Sequence, residues 1–105
     1  MSEISNQTIL SYKLGSGKVI TKIFTKDNVL HCDNGPAVYS HDSNEYYQGG
    51  VRHRDRGPAV FIKTDNYIRA EWWKNGVLHR LNKPAIVDSD GTVEYWEDGF
   101  RVIKQ

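Results

Sequence analysis

The property that most limits what this chain can fold into is that it repeats itself. Gly35-Pro36-Ala37, Gly57-Pro58-Ala59 and Lys83-Pro84-Ala85 recur at intervals of 22 and then 26 residues. A histidine stands five residues ahead of each proline: His31, His53 and His79. Between the blocks lies a glutamate followed by two aromatics, Glu45-Tyr46-Tyr47, Glu71-Trp72-Trp73 and Glu94-Tyr95-Trp96. Three residues on comes a glycine (Gly50, Gly76, Gly99), then an apolar residue (Val51, Val77, Phe100). A period in this range signals one supersecondary unit per repeat, with neighbouring units stacked to bury a face that none can bury alone.

The first unit matches less closely. Phe24 aligns with Tyr46, Trp72 and Tyr95, and Val29 and His31 align with Val51 and His53. Asn28 takes the glycine position, which suits a residue tolerant of left-handed backbone. In the last unit Val102 replaces the histidine. Atypical outer units read as the caps of an array. The array is expected over residues 19–105, in units of about 19–37, 38–59, 60–85 and 86–105, with residues 1–18 as an N-terminal arm or first hairpin strand.

Each unit reads as β-structure. Asn, Asp and Gly punctuate the chain every 8–12 residues or so, an all-β rhythm. Asn75-Gly76 and Asp98-Gly99 are tight-turn dipeptides. Pro58-Ala59-Val60-Phe61-Ile62 is a strand entered through proline, where a missing amide donor is tolerated. Ser89-Asp90-Gly91 supplies another turn, Gly15-Ser16-Gly17-Lys18 turns a hairpin rather than cradling a phosphate, and residues 65–69 lengthen a hairpin tip. The expected fold is all-β: a meander of about eight to ten short strands, with the histidine on a loop of each unit.

Composition agrees with a thin molecule. Hydrophobic residues make up 38 % of 105 and the mean hydropathy is −0.64, yet aromatics reach 11 %, which argues against disorder. A net charge of +1 gives no electrostatic case for nucleic acid or an anionic membrane as the main partner. One cysteine, Cys32, excludes an intramolecular disulfide framework. The longest fully apolar run is residues 59–62, far short of the roughly 20 needed to span a membrane. The first residues lack the plan of a signal peptide. The expectation is a cytoplasmic domain without a membrane span.

The pattern Gly-apolar-x-His-Arg-x-x-Gly-Pro-Ala, complete at residues 50–59, is similar to the MORN-type repeat and its variant in tailed phages and large DNA viruses. Related repeats occur in bacterial antitoxin-like proteins. The resemblance covers about four-fifths of the chain. It implies tandem β-hairpins in a single elongated, twisted antiparallel sheet, and roles in scaffolding, protein binding and in some cases lipid binding. It also implies that the aromatic three residues before the glycine points inward: Tyr47, Trp73 and Trp96. Asn28, Lys83, Cys32 and the shortened last unit depart from the pattern.

Candidate chemistry follows from spacing. Equivalent positions in adjacent units lie two strands apart, about 9–10 Å. Zinc–nitrogen bonds are about 2.0–2.1 Å, so no one ion bridges His31, His53 and His79. They are read as structural residues that fix their loops, and no metal or cofactor is expected. Glu45, Glu71 and Glu94 stand too far apart for a glycosidase pair. They share a strand face with Tyr47, Trp73 and Trp96, and donors from His31, His53, His79, Arg54 and Arg80 are expected to staple hairpin to loop. Cys32 aligns with Arg54, Arg80 and Ile103, which suits packing rather than a nucleophile, and His41 belongs to an exposed tip. No catalytic residue is expected.

The second aromatic column, Tyr46, Trp72 and Tyr95, is the candidate binding surface. Unless the N-terminal arm or a second copy covers it, it is exposed beside Lys74 and Gln48, with Arg52 and Arg69 at its rim. The expected function is a non-enzymatic protein-binding module. The resemblance points to a small phage or viral accessory protein that binds and inhibits a host defence protein in the host cytoplasm. An antitoxin or immunity partner of a bacterial toxin is the second reading. Binding of RNA or single-stranded nucleic acid is the third, and the neutral charge disfavours it. A homodimer through the sheet face or a free edge is the remaining partner class.

Overall fold

The computed structural model describes residues 7–103, and every regular element in it is a β-strand. In chain order these are β1 (Gln7–Lys13), β2 (Val19–Thr25), β3 (Val38–Ser40), β4 (Ser43–Glu45), β5 (Tyr47–Gln48), β6 (Val51–Arg52) and β7 (Val60–Lys63). They continue as β8 (Ile68–Glu71), β9 (Trp73–Lys74), β10 (Val77–Leu78), β11 (Ile86–Asp88), β12 (Val93–Glu97) and β13 (Phe100–Val102). Nine of them make one antiparallel sheet in the order β1-β2-β3-β4-β7-β8-β11-β12-β13, and β5-β6 and β9-β10 are separate two-stranded ribbons. The body is long and thin, 56 × 31 × 18 Å. The meander of hairpins anticipated from the repeats is therefore present. Among the described residues no helix is long and apolar enough to cross a membrane.

Thirteen strands replace the expected eight to ten, and two of them arise because the Glu-aromatic-aromatic strand breaks at its middle residue in two units. The Tyr46 amide donates to Ala59 O (2.7 Å), while its carbonyl accepts from the His53 amide (3.1 Å). Trp72 repeats this with Ala85 and His79 (2.7 and 3.0 Å). Each chain thus leaves the main sheet at that residue and enters a ribbon. In the last unit the strand stays continuous as β12.

The same bonds correct the register of the first unit. The Ile23 amide donates to Ala37 O, and Ile23 O accepts from the His31 amide. Ile23, not Phe24, therefore occupies the place of Tyr46 and Trp72, and Phe24 pairs with Leu30 as Tyr47 pairs with Arg52. The turn after Phe24 holds one residue more than its counterparts, closed by Asn28 N–H to Thr25 O and Thr25 N–H to Val29 O. Asn28 does adopt the left-handed backbone expected of it (φ 64°).

Little is fully interior. Among the described residues the buried hydrophobics are Ile23, Ala37, Ala59, Val60, Ala85 and Ile86, and no large side chain falls below 2 % exposure. The three alanines of the repeated blocks are at 0 %. One row across the sheet runs Val38, Glu45, Val60, Glu71, Ile86, Glu94, each the cross-strand partner of the next. Aliphatic and acidic residues thus alternate on one face, and the acids need donors there.

Candidate functional site

Each histidine does fix a loop, and the loop it fixes belongs to the next unit. His31 Nδ1 accepts the Gly49 amide (3.0 Å), His53 Nδ1 the Asn75 amide (2.9 Å) and His79 Nδ1 the Asp98 amide (2.9 Å). The residue before each histidine accepts the following amide: Gly50 to Leu30 O, Gly76 to Arg52 O, Gly99 to Leu78 O (2.8–2.9 Å). Both amides of each of these three turns are therefore satisfied by the preceding unit. The turn residues have positive φ throughout, such as Asn75 at 50° and Gly76 at 85°. This is the twist a tight hairpin requires. His31 and His53 also bond Asp33 and Asp55 through Nε2 (2.7 and 2.9 Å).

The glutamates find donors other than those expected. Glu45 Oε1 accepts from Tyr47 Oη (3.0 Å), Glu71 from Trp73 Nε1 (2.8 Å) and Glu94 from Trp96 Nε1 (2.9 Å). The donor is the polar head of the ring two residues along on the same face, where strand alternation puts it. Among the described residues none of His31, His53, His79, Arg54 or Arg80 bonds a glutamate. Arg52 Nη2 reaches Glu45 (3.3 Å), and Arg69 bonds Glu71 (2.7 Å) and Asp88 (2.9 Å). Arg52 and Arg69 thus belong to the glutamate face and do not rim Tyr46, Trp72 and Tyr95. The Arg69 hydrogen bond to Glu71 raises the guanidinium pKa further. Burial, then the Glu45 charge, pushes the Tyr47 phenol up. Arg52 sits between the rings of Tyr47 and Trp73, 5.9 and 5.1 Å from their centroids, and its buried Nε has no partner among the described residues.

The candidate column is half-buried, because the chain covers part of it with its own arginines. The Arg54 guanidinium lies 3.9 Å over the Tyr46 ring and that of Arg80 3.8 Å over Trp72. Each also donates from Nη1 to the proline carbonyl closing its loop, Pro58 O and Pro84 O (3.2 Å each). Gly57 makes room for the first of these stacks: a Cβ there would lie 3.0 Å from Arg54 Nη1, and its φ is +154°. Tyr95 is half-buried, and Ile103, 69 % exposed, stands eight residues on, where Arg54 and Arg80 stand for Tyr46 and Trp72. Residues 1–6 of the expected arm lie outside the described residues.

Two clefts open between successive loops on this side. One of about 590 Å³ is lined by Cys32, Tyr46, Gln48, His53, Arg54 and Arg56 among others. The next, about 270 Å³, is lined by Arg54, Asp55, Trp72, Lys74, His79 and Arg80 among others. Lys74 and Gln48 thus share this side with the column, as expected. The repeating unit of the surface is an aromatic ring, an arginine held flat on it, and a cleft. Arg54 and Arg80 were legible as loop residues, and the signal for their role is their constant place eight residues after Tyr46 and Trp72. Among the described residues no three of His, Cys, Asp and Glu gather in a way that could hold a metal ion.

No family model, curated protein or solved structure matches the chain. Function is therefore read from this surface and the repeat pattern.

Proposed function

We propose that the chain is a non-enzymatic protein-binding repeat module of MORN-like build, acting as a small phage or viral accessory protein that binds and inhibits a host defence protein in the cytoplasm. The observation that supports binding is the row of arginine-capped rings with clefts between them. Arg, Tyr and Trp are the residue types that dominate interface hot spots. Side chains already held in one rotamer lose less freedom when a partner docks. The viral and inhibitory part rests on the repeat pattern at residues 50–59.

The test is capture of binding proteins from host lysate by the tagged chain, compared with Trp72→Ala plus Tyr95→Ala and, separately, with the exposed-site change Lys74→Glu. A host protein retained by the wild type and lost by both variants supports the reading. Identical capture by all three removes this surface.

A further inference from the structure

The smaller cleft carries an imbalance of charge. Arg54, Lys74 and Arg80 line it, against one carboxylate, Asp55, which is already bonded to His53 Nε2. Among the described residues none of the three cations is in an ion pair. Arg54 and Arg80 use Nη1 on proline carbonyls, and their Nη2 and Nε have no hydrogen bond among the described residues. Stacking on Tyr46 and Trp72 and the proline bond hold each fork in place, while Trp72 gives the cleft an apolar wall. A planar fork with unused parallel donors matches a carboxylate in two-point contact.

We propose that this row recognises an acidic segment of a partner protein, with one Asp or Glu side chain entering the cleft at Arg80 and a second meeting Arg54 one unit away. The proposal rests on the protein-binding reading and names the partner's chemistry. Two inter-strand spacings set the separation of the two carboxylates at about 9–10 Å. Asp33 and Asp55, 80 % and 75 % exposed, stand in the same row of loops. They repel a continuous polyanion such as a nucleic-acid backbone, whereas isolated carboxylates one unit apart meet Arg54 and Arg80 alone, and at Arg80 the aspartate position of the loop is taken by Leu81. The net charge of +1 agrees.

The experiment follows the Arg Nε–H resonances of Arg54 and Arg80 by NMR during titration with a 12-residue Gly/Ser peptide bearing two glutamates three residues apart. The same peptide with two glutamines and a 12-nucleotide oligo-dT serve as controls. Saturable shifts at both arginines with the glutamate peptide alone are expected. Lys74→Gln, which breaks no side-chain bond among the described residues, weakens binding about threefold. Arg80→Lys, which keeps the charge and loses the fork, weakens it about tenfold. Absence of saturable shifts, equal shifts with the glutamine peptide, or tighter binding of the oligonucleotide overturns the proposal. Capture of a host protein that is indifferent to Arg80→Lys overturns it too, and leaves the protein-binding reading standing. Peptide binding without any captured protein supports the acidic site and tells against the host-inhibitor reading.

Discussion

His53 Nδ1 accepts the backbone amide of Asn75 at 2.9 Å, across the boundary between two units. That acceptance requires the proton on Nε2, which faces Asp55 Oδ1 at 2.9 Å. In His53→Asn the side-chain oxygen takes the place of Nδ1, whereas His53→Phe leaves the Asn75 amide without its acceptor. The phenylalanine variant is expected to lose about 1–3 kcal/mol and the asparagine variant less than half as much. Urea unfolding at constant m-value reads the difference. Equal losses would show that ring packing, not the bond, is what matters.

Gly57→Ala sets a methyl group against Arg54 and forces a side chain onto a backbone at φ +154°. The expected cost is about 1 kcal/mol or somewhat more. The sharper sign is spectroscopic: the Arg54 side-chain protons, shielded by the Tyr46 ring in the wild type, move downfield as the guanidinium is displaced. Unchanged Arg54 shifts would mean that the glycine does not serve the stack.

Arg52→Leu is expected to be neutral or mildly stabilising, within about 1 kcal/mol of the wild type. Leucine already fills the corresponding place in the units on either side, as Leu30 opposite Phe24 and Leu78 opposite Trp73. The change also removes the partnerless buried Nε, and Glu45 keeps the Tyr47 hydroxyl. Arg52 is only half-buried, its side chain 35 % exposed, so losing its ion pair with Glu45 to a well-packed apolar side chain costs little. A fall in melting temperature of 10 °C or so would contradict this, since about 1 kcal/mol shifts a domain of this size by roughly 4–8 °C.

Asp88 governs part of the acid response. Its side chain is 4 % exposed, and burial works to raise its pKa. The amides of Thr92 and Asp90, the Tyr67 hydroxyl and Arg69 outweigh that and hold the carboxyl below its ordinary value. The folded state therefore binds the proton less readily than the unfolded chain. The stabilisation is complete above the unfolded value of about 4 and is lost as pH falls through the lower folded value. Asp88→Asn is expected to lower stability at pH 7 and to flatten the decline in melting temperature below about pH 4. Asp42, held low by its bonds to Lys18 and Ser40, leaves a residual slope of the same sign.

Much of this was readable in the residues. The recurrence of Gly-Pro-Ala and the aromatic pairs sets the order of the hairpins, and Asn28 declares its left-handed backbone. The places where reading stopped have physical causes. Phe24 looked equivalent to Tyr46 because both lie seven residues before a histidine, and a one-residue difference in turn length is invisible to such counting. Alternation put Glu71 and Trp73 on one face. Whether the indole nitrogen turns back along its own strand depends on rotamers that no spacing contains. Arg54 was visible as a donor beside the array. That it folds back over Tyr46 of its own unit, while its amide bonds Trp73 O of the next, follows from the path of the loop through Gly57 and Pro58.

On the ribbon side, each joint between units is made of generic parts: two turn amides, one histidine nitrogen, one carbonyl and a valine lying against a glycine, as Val51 does against Gly76. Nothing in these ribbon parts records which unit is on either side of them, whereas in the main sheet Arg69 and Asp88 mark one boundary alone. Gene duplication can therefore lengthen the ribbon side in whole steps without new chemistry in its turns. Each step carries one more arginine forward by the same increment, so that copy number alone becomes a ruler for the ligand.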